Sequence, residues 1–513
     1  MTVENVPPGA PHKADSPSES PSDALGSMDA APETRDGSPL GLPRKKQMNV
    51  QLMGGLLRFA DILTILLVGL AIYWFYPRMP HGLVPERHYQ IALLAGSVLT
   101  LLAFSRLGLY TAGSILGRFS IGRAVAGWFA TVFVLLVVAF ALQISDSFSR
   151  VWVVSWMIIT PLALSTVRNI VSFQVKSMAK DRQFALRTVI FGAGDYGRRL
   201  ARHLKEQNDP MTEIVGFVDD RTNRVPHTCE GYEVLGNTDR LIEMVRNQEI
   251  DQVLVALPWG AKSRLDTLIA DIGVTPVSIL LAPDVGGFLP KGRSITTVAD
   301  VPMLHILDRP FSGWAALIKD IEDRVLASLF ILAALPVLAA VALAIKLDSK
   351  GPIIFKQRRF GFNNQEILIW KFRSMYVDDC DTTGTKQATK DDPRITRVGK
   401  LLRKTSLDEL PQLFNVLRGE MSIVGPRPHA VSTKIGDRLF SELVERYDAR
   451  HKVKPGITGW AQVNGWRGET DTVEKIQKRV EYDLHYIENW SVWLDVYIIF
   501  KTVWLVFKDE QAY

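Results

Sequence analysis

"VLASLFILAALPVLAAVALAI", residues 325–345, decides how this 513-residue chain is arranged. A predominantly apolar run of about 21 residues, rising about 1.5 Å per residue as helix, is long enough to cross a bilayer core. Arg324 and Lys346 flank it, and Pro336 stands near its centre. Proline removes a helical hydrogen bond and clashes with the preceding turn, so a sharp bend is an equal alternative to a straight crossing. A crossing puts everything after Lys346 on the far side; a bend returns it to the side of entry.

The upstream sequence fixes the side of entry. Residues 1–43 hold eight prolines among Ser, Asp and Glu. With almost no large apolar side chains to offset chain entropy, they read as a disordered cytosolic tail, with no signal peptide ahead of the first apolar run. Residues 44–175 then carry four runs of near-membrane length, about 59–76, 89–105, 124–143 and 151–167, the first blemished by Asp61. Arg44, Lys45, Lys46 and Arg58 precede the first run, and Arg106, Arg118 and Arg123 separate the second from the third. Arg168, Lys176, Lys180 and Arg182 follow the fourth, whereas the other two loops hold only Arg78, Arg87 and Arg150. Cationic loops stay cytoplasmic, so both ends of this four-span α-helical bundle are expected in the cytoplasm. The 47% apolar content suits membrane segments joined to soluble domains. The formal charge of +6 is too small to argue for nucleic acid, and a membrane-facing basic surface is the simpler reading. Cys229 and Cys380 lie too far apart for a metal or disulfide pattern.

Residues 183–285 read as a Rossmann-like α/β domain. In "RTVIFGAGDYGRRLARHL" a β-rich run leads to Gly192, Gly194 and Gly197 and then a helix, and "EIVGFVDD" ends a second strand at Asp219 and Asp220. That is the dinucleotide fingerprint in its strand, turn and helix setting. It argues for the fold more than for a cofactor, because the glycines serve the turn and close packing in either case. Residues 286–314 are expected to be a linker.

Downstream, cations crowd beside Gly and Pro in "SKGPIIFKQRRFGFNNQEILIWKFRSM", "DDPRITRVGKLLRKTSLDELPQ" and "GEMSIVGPRP". Ser406 with Glu409 three residues later is a capping-box pattern, and acids in a first helical turn answer the macrodipole, so Asp408 and Glu409 need no catalytic explanation on local grounds. Set among cation clusters in one module, the same pair fits an anionic phosphate substrate, with helix amides at Ser406 aimed at it.

At these residues the sequence resembles the bacterial sugar transferase family, the polyprenyl-phosphate hexose-1-phosphate transferases, over about residues 315–513. The run "VNGWRGETDTVEKIQKRVEYDLHYIENWSVWLDVYIIFKT" is similar to the undecaprenyl-phosphate glucose phosphotransferase branch that starts exopolysaccharide synthesis; Glu420 stands where the family more often has Asp. The resemblance implies a membrane phosphoglycosyl transferase with a monotopic α/β catalytic domain. Such an enzyme moves hexose 1-phosphate, as glucose 1-phosphate, from a UDP-sugar to a polyprenyl phosphate and releases UMP. It implies Asp408 as nucleophile of a covalent aspartyl intermediate, Glu409 as a holder of Mg2+, and Arg403 and Arg427 as phosphate-binding residues. Arg358, Lys371 and Arg373 are further candidates for the donor or the lipid headgroup. Because UDP-sugars are cytoplasmic, it also implies a re-entrant helix over 324–346, broken at Pro336. The terminal "WSVWLDVYIIFKTVWLVFKD", interrupted by Asp495 and Lys501, reads as an interfacial helix rather than a core one. The alternatives are the same reaction with UDP-galactose, a redox or epimerase enzyme built on the Gly192 loop, and a non-enzymatic scaffold. A homo-oligomer is compatible with the sequence, which leaves the oligomeric state open.

Overall fold

The computed structural model describes residues 50–76, 85–111, 114–115, 121–180, 182–221, 225–258, 261–282, 295–299, 301–376, 392–429, 434–435, 438–468 and 472–508. The expected tail and Cys380 lie outside these residues.

Among the described residues five helices are long and apolar enough to cross a membrane. Four of them come first: α1 (Val50–Phe75), α2 (Arg87–Arg106), α3 (Ile121–Ala141) and α4 (Arg150–Lys180). Their shared core is built on Trp128, Trp152 and Trp156, each nearly fully buried. Small residues make room for it: a Cβ on Gly96 would stand 2.5 Å from the Trp156 ring, and one on Gly69 would stand 2.2 Å from Leu93. Asp61 is no blemish. It is fully buried, ion-paired to Arg168 of α4, and accepts a 2.8 Å hydrogen bond from the Tyr110 hydroxyl. This corrects the expectation for Arg168, counted above among loop cations. Helix α4 continues to Lys180, so Arg168 lies inside it and is spent on Asp61.

The Rossmann-like unit alternates β1 (Leu186–Phe191), α5 (Asp195–Gln207), β2 (Thr212–Val218), α6 (Thr238–Arg246), β3 (Gln252–Val255), α7 (Lys262–Ile272) and β4 (Ser278–Leu281). The sheet continues into β5 (Ile295–Val298) and β6 (Val301–Leu307), giving the order β2-β1-β3-β4-β6-β5. The first four strands are parallel and the last two join antiparallel. Part of the expected linker is therefore sheet edge: "ITTVADVPMLHIL" alternates too weakly to announce a hairpin beside a parallel sheet. Gly192 has φ +107, and a Cβ on Gly197 would lie 1.9 Å from the Gly192 carbonyl, so both glycines are required by the turn.

The remaining module starts with α8 (Trp314–Asp348), which runs through Pro336 as one uninterrupted helix. The break expected at Pro336 is thus not a gap in the helix, and the helix exceeds the expected 324–346 at both ends. Its buried residues Lys319, Asp323, Ala327, Val341 and Ile345 fall on one stripe, continued by partly buried Ile331 and Leu338, while Pro336 is exposed. Next come the antiparallel hairpin β7 (Ile354–Phe360) and β8 (Glu366–Phe372), then α9 (Arg397–Thr405), α10 (Gln412–Leu417), and the parallel pair β9 (Ser422–Val424) and β10 (Gly456–Thr458). Helices α11 (Val473–Glu488) and α12 (Val492–Lys508) complete it. Ala327, Ile369, Leu413, Val416, Met421 and Tyr486 share one core.

Helix α12 departs from the interfacial reading on one face. Ile498 and Asp495 are fully buried, Asp495 pairing with Lys319 at 2.6 Å and accepting from Tyr486 and Trp490; Lys501 donates to Asn464. The residues that interrupt the apolar run are thus internal pairs. The opposite face exposes Trp493, Tyr497, Phe500 and Trp504.

Candidate active site

Asp408 and Glu409 sit in a short 3-10 turn, Leu407–Glu409, between α9 and α10. The expected capping box does not form. Ser406 is the left-handed C-cap of α9 (φ 57) and makes no side-chain cap; its hydroxyl accepts from Arg467 Nη2 at 2.9 Å. The Ser-x-x-Glu spacing is present, but a helix ends there rather than begins, so the amides expected to face an anion belong to a single tight turn.

Cations converge on this turn from three elements. Arg427 grips Glu409 with both terminal nitrogens, Nη2 to Oε1 at 2.6 Å and Nη1 to Oε2 at 3.2 Å. Lys371 of β8 donates to Oε1 at 2.8 Å. Burial would raise the Glu409 carboxyl, but Arg427 and Lys371 outweigh it and hold it well below the usual range, so Glu409 is ionised. Asp408 differs: its carboxylate accepts no hydrogen bond from a described residue. Burial raises it above the ordinary aspartate value, with Lys371, Arg403 and Arg427 opposing and Glu409 assisting. Among the described residues one carboxylate is pinned by hydrogen bonds and its neighbour is not.

The fold places Arg427 through close backbone contact. Gly425 N donates to Thr458 O and Gly456 N to Pro426 O, and a Cβ on Gly456 would stand 2.1 Å from Gly425 N. Behind it, Arg450 Nη2 donates to the Arg427 carbonyl at 2.7 Å and pairs with Asp483 at 2.7 Å. His429, buried among Arg450, Arg479 and Arg359, is pushed well below its usual value and is neutral, so one of its ring nitrogens accepts from these arginines.

Of the other sequence candidates, Arg403 lies in the last turn of α9, its charge acting on Asp408 and its Nη1 buried with no partner among the described residues. Two expectations are corrected. Arg358 points away from the acids: it is 70% exposed and 3.9 Å from Glu366 across the hairpin. Its neighbour Arg359, missed in the sequence, faces the site. Burial and Arg427 lower Arg359 to about 10, and its Nη1 donates to Pro428 O. Strand alternation sends adjacent residues to opposite faces, so "KQRR" announces one inward arginine without saying which. Arg373, the second, is engaged elsewhere. It is buried and donates to the carbonyls of Ser349 and Lys350, both at 2.8 Å, closing the end of α8. Glu420 accepts from Asn415 Nδ2 at 2.6 Å, so the longer acid is absorbed by packing.

In the Rossmann-like unit, Asp219 is fully buried and accepts from Ala193 N, from the backbone and guanidinium of Arg221, and from Arg264. Its carboxylate ties the Gly192–Gly194 loop to two arginines and is spent there, whereas the fingerprint expects an acid open to a ribose.

The family described as bacterial sugar transferase matches residues 314–509, and one described as a CoA-binding domain matches 95–283. The UDP-glucose:undecaprenyl-phosphate glucose-1-phosphate transferase of Escherichia coli (strain K12) is 38% identical, over 91% of this chain and 98% of that protein. The chain belongs to the bacterial sugar transferase family. Within it, the exopolysaccharide production protein PSS of Rhizobium leguminosarum bv. phaseoli is 53% identical over 35% of this chain and 88% of that protein. The UDP-galactose-lipid carrier transferase of Erwinia amylovora is 27% identical over 71% and 76%. The family model for the sugar transferase thus begins at the first residue of α8 and takes in the whole cation-rich site.

Proposed function

We propose that this enzyme transfers glucose 1-phosphate from UDP-glucose to undecaprenyl phosphate and releases UMP, the step that starts exopolysaccharide assembly. The observation that carries the reading is the unequal acidic pair: Glu409 is fixed by Arg427 and Lys371, while Asp408 accepts no hydrogen bond from the described residues. In the first displacement an Asp408 oxygen forms a bond to the β-phosphorus of the donor, and the bond from that phosphorus to the bridging oxygen breaks, so UMP leaves with the electron pair. In the second, a phosphate oxygen of the lipid attacks the same phosphorus and Asp408 leaves as carboxylate. Lys371, Arg403, Arg427 and Arg359 set four positive charges against two carboxylates, and the excess of about two matches a diphosphate. The relative named for UDP-galactose supports that donor as the second reading, with the same chemistry at phosphorus.

Mg2+ is compatible with this site. Glu409 offers about four acceptor positions and three are taken, and Mg2+ ordinarily binds one or two carboxylates together with substrate phosphates. Glu409 would hold it, where it would neutralise charge on the donor phosphates. Among the described residues no group of three acidic, His or Cys side chains could hold a metal by itself.

We also read α8 as re-entrant, below a four-span bundle in the bacterial inner membrane, with the catalytic module cytoplasmic. Both its ends are tied to one module. Near its start Asp323 accepts from Ser422 Oγ and Ile423 N at 2.9 Å, and at its end Asp348 accepts from Val398 N at 3.2 Å. Leu410 packs into both the cluster around Ala327 and the one around Val341 and Ile345. The exposed aromatic face of α12 supports a seat at the headgroup level.

The test is purified enzyme with labelled UDP-glucose, Mg2+ and undecaprenyl phosphate. Asp408→Asn is expected to abolish UMP release and labelled lipid together, and Glu409→Gln to lose most of both. UMP release unchanged in Asp408→Asn defeats the reading, and a preference for UDP-galactose would replace the donor alone.

A further inference from the structure

The hairpin that brings Lys371 and Arg359 to the acids ends in a turn, Phe362-Asn363-Asn364-Gln365, closed by Gln365 N donating to Phe362 O at 3.2 Å. Asn363 and Asn364 both have φ 57, the type I′ pattern that fits the twist of a hairpin. A turn of this kind is usually solvated, but Asn363 is 5% exposed. Its Nδ2 donates to the carbonyls of Val245 at 2.9 Å and Arg246 at 3.0 Å, the last two residues of α6 in the Rossmann-like unit. Val245 O also accepts from Gln248 N at 2.9 Å, so the amide adds a second bond there, while at Arg246 O it meets one of the carbonyls that a helix end leaves open, at the negative pole of the macrodipole. Gln365 adds a 3.4 Å bond to Arg246 O, and Arg246 pairs with Asp448 at 3.2 Å, so the joint has a second strap.

From this turn the hairpin runs straight into the site. Four residues before Asn363 is Arg359, held to Pro428 O beside Arg427; eight residues after it is Lys371, on Glu409. Across the hairpin Arg359 pairs with Ile367, and Lys371 with Phe355, so both cations lie on the same face of the ribbon. A ribbon fixed at its turn can hold this face in register with the acids. One released there keeps its attachments at the site end, where Trp370 N and Leu368 O bond Asn415, Phe360 N bonds His429 O, and Ile369 and Phe372 are buried, but loses the one at its turn.

We infer that Asn363 is a positioning residue: by capping α6 it fastens the β7–β8 hairpin to the Rossmann-like unit and holds Arg359 and Lys371 in place to receive the donor's phosphates. The role assigned to the Rossmann-like unit is therefore to brace the catalytic site, with its own glycine loop kept closed by Asp219. The kinetic part rests on the transfer reaction proposed above; the anchoring part does not.

The experiment uses the full-length enzyme in nanodiscs. Asn363→Gly removes both hydrogen bonds and keeps a residue that accepts positive φ. Asn363→Asp keeps the size and sets a carboxylate against carbonyl oxygens. In both, amide exchange is expected to quicken across residues 354–372 and stay unchanged in β1 and β3. The KM for UDP-glucose is expected to rise about fivefold, with kcat within about twofold, the scale of one net hydrogen bond. Asn363→Gln, whose amide can reach the same carbonyls, is expected to recover part of the KM. Exchange is read without substrate, so absence of UMP release by the wild type counts against the reaction and leaves the anchoring tested. Unchanged exchange over 354–372 overturns the inference. So does faster exchange with unaltered KM, or a parallel fall of kcat and thermal stability, which marks Asn363 as a general folding residue.

Discussion

Arg358 and Arg359 are neighbours in the chain with opposite fates. Arg359 is half-buried beside Arg427, and Arg358 is mostly in solvent near Glu366. Arg359→Ala is expected to lower kcat/KM for the donor about 100-fold, the scale for losing one preorganised charge at a reacting phosphate, while Arg358→Ala stays within about twofold. Equal effects in a steady-state comparison would contradict this placement. The same scale sets the pH dependence. Asp408 must be ionised to attack, and its carboxyl is raised chiefly by burial, so kcat/KM should fall, as pH is lowered, at a pH above the ordinary aspartate range. Lys371 is the first of the charges that oppose this rise. Lys371→Met is therefore expected to move the acid limb further up, which a pH profile of the two enzymes measures; a limb that stays or moves down would show that Lys371 does not act on Asp408. The acidic pair, Arg427 and Lys371 were legible because acids and cations in these motifs have few other uses so close together. Arg359 was not, because the register of a strand is set by its partner and not by its own residues.

At the level of elements, several local patterns were overridden by what packs against them. The capping box at Ser406 has the right spacing, yet α9 arrives there with its own C-terminus. Asp495 looked like an interruption of an interfacial helix and is instead the buried partner of Lys319 on α8, a pair separated by too many residues for local pattern to show. Arg373 looked like a phosphate ligand and serves as the end clamp of α8. Arg373→Met would leave the Ser349 and Lys350 carbonyls without their donor, at a cost of about 3 kcal/mol. Thermal melting of the purified protein should show a clear fall in Tm, and the KM for UDP-glucose should change less than about twofold wherever the variant is folded. A large KM change at unaltered Tm would restore Arg373 to the substrate site.

For the whole molecule, the sequence disclosed the three parts and their order, since apolar length and glycine spacing are local signals. It left open how they join. Asn363 on α6, and Asp323 and Asp348 holding opposite ends of α8 to one module, are contacts between residues far apart in the chain. Those two aspartates bear on topology. Asp348 follows Asp323 by 25 positions, about 38 Å of helix, enough to span the roughly 30 Å hydrocarbon core. Were α8 a straight crossing, Ser422 and Val398 would have to meet its ends on opposite sides of the membrane, yet both belong to the polar module that holds Glu409. A helix bent with exposed Pro336 on its outer face keeps both ends on one side, because proline opens the helix on the side where it stands. Single cysteines introduced at Ser312 and Lys350, in a background without Cys229 and Cys380, test this in whole cells. A membrane-impermeant maleimide is expected to label neither position until the cells are permeabilised, and then to label both. Labelling of Lys350→Cys alone in intact cells would mean a full crossing, which would place Asp408 apart from a cytoplasmic nucleotide-sugar and overturn the topology and the donor assignment together.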